Sequence, residues 1–153
     1  MNKINYIEDF HSWQEDFVFY HPVKVRFSET DMSGHLNNTV PFAYFEEART
    51  EFFTSIGLMN KWIDSSSETI PVVADMQCDY LKQIYFAEEI NIYVKVHFIG
   101  NSSMDIHYLG KGKDEKPCLT GRGTFVQVSK STGKGVPWTE EERMLCKYPR
   151  NIT

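Results

Sequence analysis

Between residues 26 and 38 the chain reads Arg-Phe-Ser-Glu-Thr-Asp-Met-Ser-Gly-His-Leu-Asn-Asn. Two carboxylates, Glu29 and Asp31, stand at i and i+2, and Gly34, His35, Asn37 and Asn38 follow closely. Asn38 or Thr39 suits a helix N-cap, and Pro41 is tolerated in a first helical turn. The segment therefore brings Asp31 near a helix N-terminus, where unpaired N–H groups and the helix dipole favour negative charge. A carboxylate beside free N–H donors suits acyl transfer. The carboxylate acts as nucleophile or base, and the donors hold the oxyanion. The same residue types also build ordinary turns, in which Asp31 would only accept from loop amides and His35 would be a hydrogen-bonding loop residue.

The flanking elements follow from periodicity. A strand over roughly 17–27 precedes the segment: Val23, Val25 and Phe27 alternate with Lys24, Arg26 and Ser28, and Pro22 marks a bulge or an edge. Behind it, Tyr44, Phe45, Ala48, Phe52 and Ile56 step by three and four, one stripe of a helix over 40–56 that ends at Gly57. Its aromatic load predicts packing against a sheet. The period then returns to two. Ile70, Val72, Ala74, Met76, Cys78 and Tyr80 are expected on one face of a long strand. Strands through Ile90–Phe98 and Met104–Tyr108 follow, and a last strand runs over 117–129, with Gly121 and Gly123 leaving room for curvature or close approach. Thr139 followed by Glu140, Glu141 and Glu142 predicts a short C-terminal helix over 139–147 with Thr139 as N-cap. The pattern over 4–15 is weak, a short helix at most. A strand, one long helix and four further strands make an α+β design. One helix leaves the edge and far end of such a sheet short of cover, so self-association is expected.

The 153 residues suggest one domain with a core of its own. With 41% apolar residues, 11 Phe and 8 Tyr, disorder is excluded. A net charge of −5 argues against a duplex nucleic-acid partner. Cys78, Cys118 and Cys146 are odd in number and far apart, which predicts reduced thiols. The five His show no ligand spacing, so no metal is expected. The first residues lack an apolar signal core, and no run is long enough to cross a membrane; a cytoplasmic protein is expected.

The run F-S-E-T-D-M-S-G-H-L-N-N-T-V-P-F-A-Y-F-E-E-A-R resembles the signature of hotdog-fold acyl-CoA thioesterases, in the 4-hydroxybenzoyl-CoA thioesterase-like branch. The resemblance continues in P-V-V-A-D-M-Q-C-D-Y-L-K, G-N-S-S and C-L-T-G-R-G-T-F-V-Q-V, and covers roughly 20–143. It implies a hotdog fold: one long helix wrapped by a five-stranded antiparallel sheet, a single domain over 1–153 with an unassigned extension over 1–20. It implies Asp31 as nucleophile or base, a structural Glu29, and the Asn38 N–H as the donor to the thioester carbonyl. Gly34 would let the acyl group approach the loop, with His35 nearby. It implies an acyl-CoA or acyl-carrier thioester as substrate, coenzyme A as part of that substrate rather than a cofactor, and a homodimer or homotetramer with the site between protomers.

Two departures stand out. Pro41 occupies a position where relatives in this branch often carry an aromatic. A second branch puts its catalytic Glu on the helix, which here would be Glu47 or Glu46. Lys82, Arg122 and Lys130 are candidates for phosphate contacts. Two rival functions remain. A hotdog hydratase or dehydratase would need an Asp–His pair or a helix His, and no His lies between Leu36 and Val96. A non-catalytic acyl-CoA binding module would not need Asp31.

Overall fold

The computed structural model describes residues 3–147. Five strands form one antiparallel sheet: β1 (Phe19–Lys24), β2 (Thr69–Tyr80), β3 (Glu89–Ile99), β4 (Ser103–Gly112) and β5 (Pro117–Ser129). Their order across the sheet is β1-β3-β4-β5-β2. The consecutive strands β3, β4 and β5 pair through short turns, whereas β1 and β2 are the two edges. Pro22 lies on edge strand β1, where its missing N–H costs no ladder bond.

The long helix α2 (Val40–Ser55) packs on one face of this sheet. Phe45, Ala48, Phe52 and Phe53 are fully buried on its inner stripe, as the three-and-four spacing requires. The Phe45 ring stacks on Tyr108 of β4 at 4.6 Å, and the Phe53 ring stacks on Phe125 of β5 at 5.5 Å. Gly121 makes the first contact possible. A Cβ there would sit 2.4 Å from the Phe45 ring. Arg49 is buried on the same helix, donating from Nη1 to the Tyr108 hydroxyl at 3.0 Å and lying over the Phe125 ring.

Three local features depart from the expected pattern. A bulge between Val73 and Asp75 shifts the register of β2 against β5. An extra residue swaps the faces of everything beyond it. Met76 and Cys78 therefore pack against the core, whereas Ile70 and Val72 are exposed, and the single apolar face expected from Ile70 to Tyr80 does not exist. Second, a short helix α3 (Leu58–Ile63) follows Gly57, whose φ of +85° ends α2. It buries Leu58 and Trp62 under the sheet's far end. Third, the helical part of the N-terminal segment is only α1 (Phe10–Glu15), capped by the Asp9 carboxylate, which accepts from the Ser12 N–H.

Residues 4–17 lie against the outer face of the sheet, opposite α2. Ile4, Ile7, Trp13 and Phe17 form a second apolar cluster with Leu109. Trp13 Nε1–H donates to His107 Nδ1 at 2.8 Å. The indole can only donate, so the imidazole carries its proton on Nε2 and gives it to Asp105 at 3.0 Å. Helix α4 (Glu140–Lys147) closes the far end; the Thr139 hydroxyl accepts from the Glu142 N–H at 3.1 Å, the predicted cap. No helix among the described residues is long and apolar enough to cross a membrane.

Candidate active site

The loop between β1 and α2 is built by its own side chains. Asp31 Oδ1 accepts from the N–H groups of Ser33, at 2.8 Å, and His35, at 3.2 Å. The Asp31 N–H donates to the His35 carbonyl at 2.8 Å, and the Gly34 N–H to the Asp31 carbonyl at 3.0 Å. This tight turn needs φ of +79° at Gly34, which favours glycine. No atom lies within 4 Å of a Cβ built at Gly34, so backbone conformation is the glycine's visible reason here. Asp31 Oδ2 has no partner among the described residues.

Glu29 is spent on structure. Its Oε1 accepts from the Arg26 N–H at 2.8 Å and from the Tyr44 hydroxyl at 2.9 Å, tying the loop to α2. Burial and this carboxylate push the Tyr44 phenol up, which keeps it a donor. The His35 ring stands edge-on to Tyr85 at 5.0 Å, and the two residues also form an isolated backbone bridge.

The helix start shows one further correction. Thr39 occupies the N-cap position, but its side chain caps nothing. The capping acceptor is Asn37: its Oδ1 takes the Thr39 N–H at 3.0 Å and the Thr39 hydroxyl at 2.9 Å. An Asn side chain reaches the amide two residues on with little strain, so Asn37 takes that amide first. The consequence is a strict accounting over 36–40. Leu36 N–H donates to the Ile84 carbonyl, Asn37 N–H to the Glu29 carbonyl, Thr39 N–H to the Asn37 side chain and Val40 N–H to the Asn37 carbonyl. The Asn38 N–H alone has no acceptor among the described residues.

Asp31, His35, Leu36, Asn38, Tyr80 and Lys82 border one open cavity of about 340 Å³. The structure thus brings Asp31, His35 and Asn38 together. Of the candidate phosphate contacts only Lys82 is here, paired with Asp114 at 2.9 Å. Arg122 is bound on the outer sheet face by Asp75 and Asp105, at 3.2 and 2.8 Å. Lys130 follows the far end of β5, its N–H on the Glu68 carbonyl. Glu47 pairs with His21 on β1 at 3.0 Å and borders a different cavity, with Glu29, Tyr44 and Phe86. Glu46 is exposed.

No thiol competes as nucleophile, since burial pushes Cys78, Cys118 and Cys146 up to about 12. Among the described residues no three of His, Cys, Asp and Glu are placed to hold a metal ion. Tyr80 escaped the sequence reading as a site residue, because within an alternating strand it looks like one more core aromatic.

Residues 25–143 match the thioesterase-like superfamily. The chain is 48% identical over 141 residues to the uncharacterised protein YsmA of Bacillus subtilis (strain 168), covering 92% of this chain and 93% of that protein. The chain belongs to the thioesterase-like superfamily. Among solved structures, a thioesterase from Thermus thermophilus in complex with coenzyme A and zinc superimposes with a TM-score of 0.71 at 29% identity, over 86% of this chain and 99% of that one. A DHNA-CoA thioesterase from Staphylococcus aureus superimposes with a TM-score of 0.70 at 20% identity, over 77% of this chain and 78% of that one, a likeness of fold. The α+β hotdog architecture is thus the superfamily's fold, and the match begins beyond the N-terminal segment that covers the outer sheet face.

Proposed function

We propose that this superfamily member hydrolyses acyl-CoA thioesters at the cavity bordered by Asp31 and Asn38. One observation carries the reading: a carboxylate oxygen and a backbone N–H, both without partners among the described residues, border the same opening. The thioester carbonyl oxygen accepts from the Asn38 N–H. Asp31 Oδ2 then attacks the carbonyl carbon, or removes a proton from a water that attacks it. The carbon–sulfur bond breaks and coenzyme A leaves as thiolate. A thiol is far more acidic than an alcohol, so the thiolate leaves with little help from a general acid. Attack by Asp31 itself leaves a mixed anhydride, which a second water hydrolyses to the free acid and the Asp31 carboxylate. A donor of this kind is worth roughly 3–4 kcal/mol of transition-state stabilisation. The substrate brings the coenzyme A, and the chemistry calls for no resident cofactor. The Thermus thermophilus relative, solved with coenzyme A, supports that choice of thioester.

The site is open in one protomer, which fits a homodimer. Edge strand β2 has an unpaired side and exposes Ile70, Val72 and Val73 at 41–45%. Such an edge needs a cover, and a second β2 would supply it. Three free thiols suit a cytoplasmic protein.

The test is free-thiol release from a panel of short-chain, long-chain and aromatic acyl-CoAs. Multiple-turnover release from at least one of them is expected. Binding of acyl-CoA without any release would replace hydrolysis with a binding role.

A further inference from the structure

Tyr80 closes β2 and borders the same cavity as Asp31 and Asn38. Its hydroxyl donates to the Asn38 carbonyl, across 42 residues of sequence. Asn38 joins two peptide planes. The plane before it carries the unpaired N–H, and its carbonyl, that of Asn37, accepts from Val40. The plane after it carries the carbonyl that Tyr80 holds, and its N–H, that of Thr39, is held by the Asn37 side chain. Three anchors therefore fix the torsions of Asn38, and two of them are made within the turn. Tyr80 is the one that ties the turn to the sheet.

We propose that Tyr80 is a positioning residue: its hydroxyl, by holding the Asn38 carbonyl, aims the Asn38 N–H at the substrate's thioester carbonyl. The inference rests on the acyl-CoA hydrolase reading above. The hydroxyl keeps its proton throughout, and no bond to it forms or breaks in the reaction. Partial desolvation and the neighbouring Cys78 hold the half-exposed phenol up at about 12, so it is a donor at neutral pH. Tyr80 lies on the same edge strand as the exposed Ile70 and Val72, and its hydroxyl ties that strand to the Asn38 carbonyl. Donor placement matters steeply, because a misplacement of about 1 Å costs on the order of a hundredfold in rate.

The experiment compares Tyr80→Phe with the wild-type chain on the acyl-CoA that the wild type cleaves best. It also follows the Asn38 amide signal by ¹⁵N-edited NMR. The expected result is a fall in kcat of about tenfold to a hundredfold, with KM within about twofold and a shifted or broadened Asn38 amide. A kcat within twofold of wild type overturns the proposal. So does a loss carried by KM alone, which would make Tyr80 a substrate contact. A lower kcat with an unmoved Asn38 amide also overturns it. If the wild type releases no thiol from any acyl-CoA, the hydrolase reading falls by itself, and the amide signal alone decides whether Tyr80 sets the Asn38 torsions.

Discussion

Gly121→Ala puts one methyl group where the long helix comes closest to the sheet. The added Cβ would lie 2.4 and 2.8 Å from two atoms of the Phe45 ring and 3.0 Å from the Gln77 carbonyl oxygen. The ring cannot swing away freely, because it is fully buried and stacked on Tyr108. Two effects favour the alanine: burial of a methyl, about 0.8 kcal/mol, and a stiffer unfolded chain, about 0.4–1 kcal/mol. Overpacking of a filled core opposes them at roughly 1–3 kcal/mol. Contacts this short put the cost at the upper end of that range or beyond, so a net loss of about 1–2 kcal/mol is expected. For a chain of this size each kcal/mol moves Tm by roughly 2–4 °C, so the midpoint should fall by roughly 2–8 °C in calorimetry. Phe45 lies in the second turn of α2, and a displaced helix start should also lower thiol release. Gly112→Ala is the control: its Cβ would meet only the Asp114 side chain, at 3.2 Å, which can move aside. A Gly121→Ala chain as stable as wild type would refute the reasoning, since the sheet would then have slack where the structure has none.

Three further outcomes are expected. Ala87 holds φ of +67° between β2 and β3, so Ala87→Gly should raise stability by about 1 kcal/mol in urea unfolding; no gain would mean that the strain is absent. Burial lowers the His107 pKa, against the opposing pull of Asp105 and with His97 and Lys95 adding to the lowering. The unfolded chain then binds a proton that the folded one refuses, so this contribution is complete above pH about 6.5 and is lost as pH falls towards the folded value. The stability drop from pH 7.5 to 5.5 should shrink in His107→Gln, and an unchanged slope would contradict it. If the proposed homodimer pairs through β2, Val72→Lys, which sets a charge on that open edge, should halve the mass seen by light scattering; a mass identical to wild type would overturn pairing through β2.

How much the sequence discloses depends on how local the physics is. Helix α2 and the five strands are legible because a half-buried element must repeat with its own geometry, although β1 ends at Lys24 and Phe27, expected on its apolar face, starts a short 3-10 turn and is exposed. The bulge at Ala74 is not, because an alternating run of apolar residues reads the same with or without an extra residue. Arg49 looks like a surface position until Tyr108 and Phe125 close over it. The N-terminal segment is opaque for a similar reason: Trp13 and His107 stand 94 residues apart, and only the folded sheet brings them together. At the site, Asp31 and Gly34 are visible as residue types, and the family resemblance points to Asn38. What makes Asn38 distinctive is an unpaired backbone N–H, which carries no residue signature and appears only once its neighbours' bonds are counted.

The most direct test of the central claim is thiol release by Asp31→Asn, measured beside wild type on the same acyl-CoA. The substitution keeps the size of the side chain and the Oδ1 contacts to the Ser33 and His35 amides, while removing the negative charge and the free carboxylate oxygen. Turnover should fall at least about a thousandfold with Tm and assembly unchanged, in line with the loss of a nucleophile or base whose binding partners remain. Turnover within a few-fold of wild type would remove Asp31 from the chemistry.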